Sequence, residues 1–235
     1  LELKKAYSKE IAREKEIRKL RERYVFIAAH ELRTPVTAID WGLKMLLDDK
    51  EFQGAVAKDY ITLLENLRLK NQSLLDLVAD LLSVARLQTG TISEELETIS
   101  IPSVVREVKD VLIKLINESP IKVIWTLEGQ ELPKVRANST ALREVLTNLV
   151  SNAIRYNRPG GEVFVEAETR GKNVIIRVRD TGIGMTKEEM KDLFQEFYRV
   201  RNQETKNIEG TGLGLFVSKR LIEKMEGKIE VESIK

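Results

Sequence analysis

Cysteine is absent from the 235 residues, and histidine occurs only once. These two shortages exclude disulfides, thiol nucleophiles, thiolate metal sites and zinc sites with two imidazoles. Lysine and arginine (39) nearly balance aspartate and glutamate (37), so the net charge of +2 gives no electrostatic reason to expect nucleic acid or an anionic membrane as the main partner. No run approaches the roughly 20 apolar residues of a membrane helix, and no signal peptide opens the chain.

The remaining composition is that of a folded protein. Apolar residues make up 42% and charged residues 32%, which permits a packed core, and the length suits two ordinary domains. Because the first residue is Leu rather than Met, we expect a fragment of a longer protein. A reducing, cytoplasmic setting is the default expectation for the fragment, and membrane anchorage of a longer parent is left open.

The first 23 residues are dominated by Lys, Arg and Glu and contain neither Pro nor Gly. Their apolar positions fall near a spacing of three and four, which is a weak heptad pattern. A solvated helix and a coiled-coil stalk that transmits a signal from upstream both fit this pattern.

Two longer helical stripes follow. The first consists of Ala28, Leu32, Val36, Ile39, Leu43 and Leu46. The second consists of Tyr60, Leu64, Leu67, Asn71, Leu74, Val78, Leu81 and Ala85, widened by Leu63, Leu75 and Leu82. A break is predicted at Phe52-Gln53-Gly54. Stripes this wide cannot be buried within one helical hairpin, so we expect two hairpins to pair as a homodimer with a four-helix bundle.

From about residue 96 the pattern changes to short mixed elements. Strands are predicted over 97–101, 121–127, 162–169, 173–180 and 229–233, and helices over 139–156 and 213–226. Pro102 suits the first residue of a further helix, and Thr186-Lys187-Glu188-Glu189 forms a capping box that opens another. Strands and helices without strict alternation predict an α+β sandwich.

The single imidazole, His30, lies about 160° from Leu32 on the helical wheel and therefore faces solvent. Glu31 is its neighbour, and Thr34 lies within about 40° of it on the same wheel. Pro35 is one turn away and kinks the helix. A neutral imidazole is a nucleophile that an adjacent carboxylate can orient and deprotonate, although a lone exposed histidine usually has no function.

Asn148 and Asn152 share one face of a predicted helix, and Arg155 and Tyr156 follow one turn later. Two carboxamides suit an oxygen-bound cation such as Mg²⁺, which keeps several waters and bridges phosphates. Arg155 and Tyr156 suit a phosphate and a purine ring. Two solvated asparagines are the alternative interpretation of this stretch.

Two glycine-rich segments follow. Asp180, Gly182 and Gly184 form a D-x-G-x-G turn at a strand end, where the carboxylate can accept a hydrogen bond from an exocyclic amine; a plain polar turn explains the pattern about as well. The other segment, Gly210-Thr211-Gly212-Leu213-Gly214, runs into a helix and presents N–H groups to an anion. It matches neither the P-loop nor the dinucleotide-binding pattern, and a flexible connector is the alternative.

Together these motifs resemble those of the sensor histidine kinases of two-component systems. Residues 26–35 are similar to that family's H box, 148–156 to its N box, 180–184 to its G1 box, 194–199 to its F box and 210–215 to its G2 box. The resemblance implies an α+β chain: a helical hairpin that dimerises into a four-helix bundle, followed by an α/β sandwich of Bergerat (GHKL) type. It implies a stalk over 1–23, a dimerisation and phosphotransfer domain over 24–92 and a catalytic ATP-binding domain over 93–235.

The resemblance also implies a role for each matching residue. His30 would be the phosphoacceptor, Glu31 its general base and Thr34 the residue for phosphatase activity. Asn152 would hold Mg²⁺ beside Asn148. The other implied ATP-binding residues are Asp180 and Tyr156 at the adenine, Arg155 and Arg199 at phosphates, and Gly182, Gly184, Gly210, Thr211, Gly212, Leu213 and Gly214 in the loops. Residues 200–212 would form a mobile lid over ATP, and the implied protein partner is the receiver domain of a response regulator.

Two departures from the family pattern stand out. Arg155 occupies a position where the family often has Lys, and the chain stops at Lys235, before the last glycine-rich turn and strand. The rival class is an ATP-driven clamp, as in the chaperone and topoisomerase relatives of the fold, where a Glu replaces Asn148 and activates water. A neutral amide is a poor base, which favours transfer to a side chain. A catalytically inactive scaffold is disfavoured because every motif is present.

Overall fold

The computed structural model describes residues 28–29, 32–89, 95–127, 131–206, 208 and 210–235, without the side chains of 88 and 89. The chain divides into two compact units, Leu1–Ile92 and Ser93–Lys235. The predicted stalk lies outside the described residues, as do His30 and Glu31. Among the helices that are described, none is both long and apolar enough to cross a bilayer.

The described residues of the first unit are mainly helical. Helix α1 covers 32–48 and continues through Pro35, α2 covers Lys50–Ala55, and α3 covers Lys58–Thr89. Asp49 caps α2 by accepting hydrogen bonds from the N–H groups of the second and third residues after it, at 2.8 and 3.0 Å. The break predicted at 52–54 is therefore wrong: these residues are helical, and the chain turns on either side of them, at Asp49 and at Val56.

The long helices α1 and α3 are antiparallel. Asn71 Nδ2 donates to the Val36 carbonyl at 3.0 Å, and Ala29 packs with Val78 and Leu82 in a small apolar cluster. Ala29 lies seven residues before Val36, and its partner Val78 lies seven residues after Asn71. The two helices therefore run in opposite directions, as in a hairpin. Asn71 is only 8% exposed, so the amide side chain of this heptad stripe is both buried and hydrogen-bonded.

Much of the apolar surface of this hairpin stays exposed. Trp41, Met45 and Tyr60 are between 63% and 75% exposed. The other large exposed apolar side chains of α1 and α3 are Leu32, Ile39, Leu46, Leu63, Leu67, Leu69 and Leu74. This is the surplus that the stripes predict, because one hairpin is too thin to bury two wide apolar faces.

The second unit is built on two small sheets. Strands β1 (Glu97–Ile99) and β3 (Val135–Ala137) pair antiparallel. Strand β2 (Lys122–Trp125) pairs in parallel with β4 (Glu162–Arg170), and β4 pairs antiparallel with β5 (Asn173–Asp180). The β4–β5 register joins Val163 to Asp180, which fixes where the second of these strands ends.

The helices of this unit are α4 (Ile101–Glu118), α5 (Ser139–Arg155), the short α6 (Lys187–Lys191) and α7 (Gly214–Lys224). Helices α4, α5 and α7 share an apolar core with the sheet, whereas α6 buries no residue. Val108, Val150 and Val163 are fully buried, and Val150 brings α5 into the core beside β4. The predicted α+β class and the capping box at Thr186 are confirmed. Helix α4 begins at Ile101, one residue before the predicted Pro102, so the strand predicted over 97–101 ends at Ile99.

The end of the chain differs from the prediction. Helix α7 begins one residue later and ends two residues earlier than expected, and Gly227 closes its last turn by donating to the Ile222 carbonyl at 2.9 Å. The strand predicted over 229–233 is wrong, because these residues form no ladder. A side-chain contact is made instead: Met185 N donates to Ser233 Oγ at 2.9 Å, where a strand would use its backbone.

Candidate nucleotide site

Helix α5 carries the first part of the site. Asn138 caps it by accepting from Ala141 N at 2.9 Å, and the apolar face buries Val145, Val150 and their neighbours in the core. Asn148 and Asn152 lie one turn apart and are half-buried. Asn152 Nδ2 donates to Asn148 Oδ1 at 3.2 Å, so the two carboxamides that the sequence placed on one face are in direct contact.

Strand β5 delivers Asp180 to the turn that follows it. Asp180 Oδ1 accepts from Gly182 N at 2.8 Å, and Ile183 N donates to the Tyr156 carbonyl at 3.1 Å, which ties the turn to the end of α5. A Cβ at position 182 would lie 2.4 Å from that carbonyl oxygen and 2.7 Å from Asp180 Oδ1. Only glycine therefore fits between the carboxylate and α5.

A second layer of polar contacts that the sequence analysis missed supports this turn. Thr181 Oγ1 accepts from Glu162 N at 2.9 Å, and Asn157 Nδ2 donates to the Glu162 carbonyl at 3.0 Å. Thr181 and Asn157 also meet each other at 3.3 Å. These bonds clamp the residue after Asp180 to β4. The run of polar residues and glycines over 157–161 signals a turn in the sequence, but it does not reveal the partner strand.

The glycine-rich loop before α7 packs against two other motifs. Gly212 has a φ of +76°, and a Cβ there would lie 2.8 Å from the Phe197 carbonyl carbon, so both backbone conformation and space require glycine. Thr211 Oγ1 accepts from Leu213 N at 3.2 Å, and Leu213 is fully buried. A Cβ on Gly214 would lie 2.4 Å from Asn148 Oδ1, which brings the loop against α5.

Arg199 follows Tyr198 and faces the same loop. One guanidinium nitrogen of Arg199 donates to the Ile208 carbonyl, while its buried Nε donates to no acceptor among the described residues. A Cβ at position 210 would lie 4.0 Å from that Nε and 3.9 Å from the Tyr156 hydroxyl oxygen. Arg199, Tyr156 and Gly210 thus surround one spot on the loop.

Two neighbouring segments hold these groups from outside. The Tyr198 hydroxyl donates to the Glu189 carbonyl of α6 at 3.0 Å. Thr205, buried within the predicted lid, donates to the Val200 carbonyl at 2.7 Å and accepts from Asn202 N at 2.9 Å. Sequence reasoning missed Thr205, which has no motif signal. Its contacts fold residues 200–205 into a local turn, and lid mobility stays a prediction.

The carboxylate of Glu189 is the one group beside the site whose pKa is shifted among the described residues. The pKa of Glu189 is lowered, first by the hydrogen bond from Thr186 N at 2.7 Å and then by the Lys235 ammonium, which donates to it at 3.4 Å. An ionised Glu189 thus closes the capping box of α6.

The structure does not bring every predicted residue together. Arg155 is exposed and makes no hydrogen bond or ion pair within the described part of the chain, so its phosphate role has no contact to support it. Thr34 is exposed on α1, as the wheel predicts. Gly184 lies against the Ile234 carbonyl and not against the other loops. The positions of His30 and Glu31 lie outside the described residues.

Two open polar atoms suit a phosphorylated nucleotide with its cation. The buried Nε of Arg199 is a donor without an acceptor, and an anionic phosphate would supply one. The Asn152 carboxamide makes its hydrogen bond to Asn148 through Nδ2, and its oxygen Oδ1 accepts no hydrogen bond from the described residues. A neutral amide oxygen is a hard ligand that suits Mg²⁺ when phosphates and waters complete the shell. The described residues contain no group of three or more His, Cys, Asp or Glu side chains that could hold a metal ion.

Two family models match the chain. The model "His Kinase A (phospho-acceptor) domain" matches residues 21–90, and the model "Histidine kinase-, DNA gyrase B-, and HSP90-like ATPase" matches residues 137–235. The second model covers both the kinases and the clamp proteins. The first adds a phospho-acceptor domain ahead of it, which favours the kinases.

Two curated proteins are similar to nearly the whole of this chain. The cell-division control histidine kinase PdhS of Brucella anthropi is 32% identical over 216 residues, which are 87% of this chain and 20% of that protein. The non-motile and phage-resistance protein of Caulobacter vibrioides is 30% identical over 236 residues, which cover 99% of this chain and 28% of that protein. The chain therefore spans between a fifth and under a third of the length of these curated relatives.

Solved structures share the fold. Full-length ShkA in complex with AMPPNP has a TM-score of 0.65 at 27% identity, over 87% of this chain and 41% of that one. The Acinetobacter baumannii histidine kinase AdeS has a TM-score of 0.54 at 25% identity, over 83% of this chain and 86% of that one. The Bergerat-type fold predicted for the second unit is confirmed by these matches. A phospho-acceptor domain, an ATPase-like domain and these relatives together show that the chain belongs to the histidine kinases.

Proposed function

We propose that residues 93–235 bind ATP with Mg²⁺ and transfer its γ-phosphoryl group to His30. The observation that carries this proposal is the convergence of the nucleotide motifs around Tyr156. Its carbonyl accepts from Ile183 in the G1 box, and its hydroxyl oxygen lies 3.9 Å from the place of a Cβ on Gly210 in the G2 box, which is itself 4.0 Å from Arg199 Nε in the F box. Segments that are far apart in the sequence thus line one place, as a ligand with separate base and phosphate ends requires.

Each of these groups has a task that its chemistry suits. Asp180 keeps Oδ1 on Gly182 and leaves its second oxygen for the adenine amine. Tyr156 lies beside the ring, and Arg199 and the exposed Arg155 serve phosphates. Asn152 would hold Mg²⁺, which would neutralise charge that develops on the phosphates.

The reaction itself needs few covalent partners from the protein. A ring nitrogen of His30 attacks the γ-phosphorus, the bond to the bridging oxygen breaks, and ADP leaves. Glu31 takes the proton that the ring gives up. An aspartate of a response regulator then attacks the phosphohistidine, and the phosphorus–nitrogen bond breaks. Positioning and charge neutralisation supply most of such catalysis.

We infer that two copies of the chain pair through the first unit. The apolar side chains that α1 and α3 leave exposed, including Trp41, Met45 and Tyr60, would be buried between two hairpins in a four-helix bundle. The receiver domain of a response regulator is the further partner, and Thr34 serves the removal of phosphate from it. We place this part of the chain in the cytoplasm, where ATP is available.

The clamp mechanism is disfavoured by the state of Asn148. Its carboxamide is neutral and already occupied at both ends, on Asn152 and on Ser218, so it cannot activate a water as a carboxylate would. We therefore expect slow hydrolysis of ATP by water and transfer to an imidazole instead.

Titration calorimetry with ADP, with and without Mg²⁺, tests the nucleotide site. We expect Asp180→Asn to weaken ADP binding in both conditions, because a donor replaces one acceptor. Asn152→Ala should weaken only the Mg²⁺-dependent part. Arg170→Ala, on the far end of β4 from the turn, is the control and should bind as wild type does. Equal losses in both conditions for both site variants would contradict the assignment.

A further inference from the structure

The segment after Arg199 contains a buried threonine that no nucleotide motif includes. Thr205 is 3% exposed, whereas the residues on either side of it are exposed. Its hydroxyl donates to the Val200 carbonyl at 2.7 Å and accepts from Asn202 N at 2.9 Å. A carbonyl can only accept and a backbone N–H can only donate, so the direction of both hydrogen bonds is fixed.

The main chain of Thr205 leads back to Arg199 from the other side. Ile208 N donates to the Thr205 carbonyl at 3.1 Å, and the Ile208 carbonyl accepts from the Arg199 guanidinium. Val200 directly follows Arg199 in the chain. These contacts therefore form a closed ring that begins at the main chain beside Arg199 and ends at its side chain, and Thr205 joins the two halves.

Other hydrogen bonds form the turn around Thr205 but do not tie it to Val200. The Asn202 side chain accepts from two backbone N–H groups at 3.0 Å each, and the Asn202 carbonyl accepts from a third at 3.1 Å. All three bonds stay within residues 202–206. Among these contacts only the Thr205 hydroxyl reaches Val200, so its removal leaves a turn that is formed but no longer tied, and the Ile208 carbonyl is released with it.

The ring matters because of the atom that it leaves open on Arg199. The Nε of Arg199 is buried without an acceptor among the described residues, and it lies 4.0 Å from the place of a Cβ on Gly210. A guanidinium that is already held at another nitrogen presents its remaining N–H groups in a fixed direction. A guanidinium that is not held loses side-chain freedom when it binds a phosphate, and this loss lowers the affinity.

We propose that Thr205 is a positioning residue for the phosphate end of the nucleotide: it keeps the Arg199 guanidinium on the Ile208 carbonyl, with Nε free for a phosphate oxygen, before the nucleotide arrives. This inference rests on the proposed ATP site and adds to it a residue that touches neither nucleotide nor metal. Thr205 acts on binding only through Arg199, and this dependence is what the test addresses.

Calorimetric titration of the whole chain with Mg²⁺ and AMPPNP, an ATP analogue that resists transfer of its γ-phosphoryl group, measures the effect. Thr205→Val keeps the branched shape of the side chain and removes the hydroxyl. It should weaken AMPPNP binding about three- to tenfold, which is the cost of ordering one long side chain during binding. Thr205→Ser keeps the hydroxyl and should restore wild-type affinity.

Arg199→Ala separates positioning from folding. In this background Thr205→Val should cost no further affinity, because the side chain that it positions is gone, so the two changes are not additive. A general loosening of the segment would instead lower the affinity by the same factor in both backgrounds. Thr126→Val is the matched control: the Thr126 hydroxyl donates to the Val165 carbonyl at 3.3 Å, outside the nucleotide motifs, and its loss should leave AMPPNP affinity unchanged.

The possible results separate this inference from the proposed function. Full additivity of Thr205→Val with Arg199→Ala, wild-type affinity in Thr205→Val, or an equal loss in Thr126→Val would overturn the inference and leave the ATP site intact. Failure of Thr205→Ser to restore the affinity would overturn it as well. Failure of the wild-type chain to bind AMPPNP would instead overturn the proposed function.

A measurement without nucleotide follows Arg199 directly. In ¹⁵N-labelled protein, the buried Nε proton of Arg199 should exchange with water more slowly than that of the exposed Arg155. Thr205→Val should accelerate the exchange at Arg199 toward the rate at Arg155, and Thr205→Ser should not. The same exchange rate at Arg199 in wild type and in Thr205→Val would contradict the inference.

Discussion

Replacement of Gly182 by Ala is the sharpest structural perturbation of the proposed adenine site. The φ of Gly182 is not positive, so Ala can adopt its backbone conformation. The obstacle is space. The added Cβ would lie 2.4 Å from the Tyr156 carbonyl oxygen and 2.7 Å from Asp180 Oδ1, and both are shorter than the 3.0 Å below which real Cβ contacts essentially never fall.

Relief of this clash weakens two hydrogen bonds of the turn. The turn must move away from α5 by more than half an ångström, which strains the bond from Ile183 N to Tyr156 and the bond from Gly182 N to Asp180. Overpacking of this kind costs about 1–3 kcal/mol of folding free energy. Because Asp180 moves with the turn, we expect ADP affinity to fall at least about tenfold, which corresponds to about 1.4 kcal/mol.

Gly171 offers a matched control with the opposite properties. It has a φ of +62° in the β4–β5 turn and open space around its Cβ position, so Ala there is strained without a clash. Gly171→Ala should cost about 1–2 kcal/mol of stability and leave ADP binding unchanged. Urea unfolding and calorimetry on both variants separate the two effects. Wild-type ADP affinity in Gly182→Ala, or an equal loss of affinity in Gly171→Ala, would refute this reasoning.

Three further predictions concern phosphatase activity, the cap on α6 and the acid profile of stability. Thr34→Ala should lose phosphatase activity on the phosphorylated regulator and keep autophosphorylation, whereas Glu31→Ala should impair the kinase; equal loss of both activities in Thr34→Ala would indicate a role in helix geometry alone. Thr186→Ala removes the cap on α6, where Oγ1 accepts from Glu189 N at 3.2 Å, and should cost about 1 kcal/mol in urea unfolding. Because the pKa of Glu189 is lowered in the folded state, its contribution to stability is complete above the ordinary pKa of 4.5 and is lost as pH falls through the lower folded pKa. Glu189→Gln should therefore lose less stability in acid than wild type does. The same acid profile of unfolding free energy in both proteins would argue against this role of Glu189.

Local signals predicted α5, β4 and β5 well, whereas β3 was not predicted. Helix α5 ends one residue before its predicted end, and the bounds of strands β4 and β5 agree with the prediction within a residue. These elements depend on an apolar face, a capping asparagine and a glycine turn, which are all formed by residues close together in the sequence. The pairing of β2 with β4 in parallel could not be predicted, because it joins segments 40 residues apart. The failed strand at 229–233 has the same cause: alternation predicts a strand only where a partner ladder exists.

The motifs likewise predicted the residues of the site, but not the residues that hold them in place. The sequence places Asn148 and Asn152 on one face, but nothing in it indicates that Ser218, on a distant helix, accepts from Asn148. Thr181 and Asn157 are equally ordinary polar residues until β4 and β5 bring them together. Such contacts depend on tertiary packing, so they are found only when the fold is known.

Phosphorylation of His30 is the central claim, and one labelling experiment tests it most directly. The chain is incubated with Mg²⁺ and ATP labelled at the γ-phosphate, and the denatured protein is exposed to acid and to base. A phosphorus–nitrogen bond on imidazole is labile to acid and stable to base, so we expect the label to be lost at low pH, to survive at high pH and to be absent from His30→Gln. Label that persists in His30→Gln, or that withstands acid, would contradict the account.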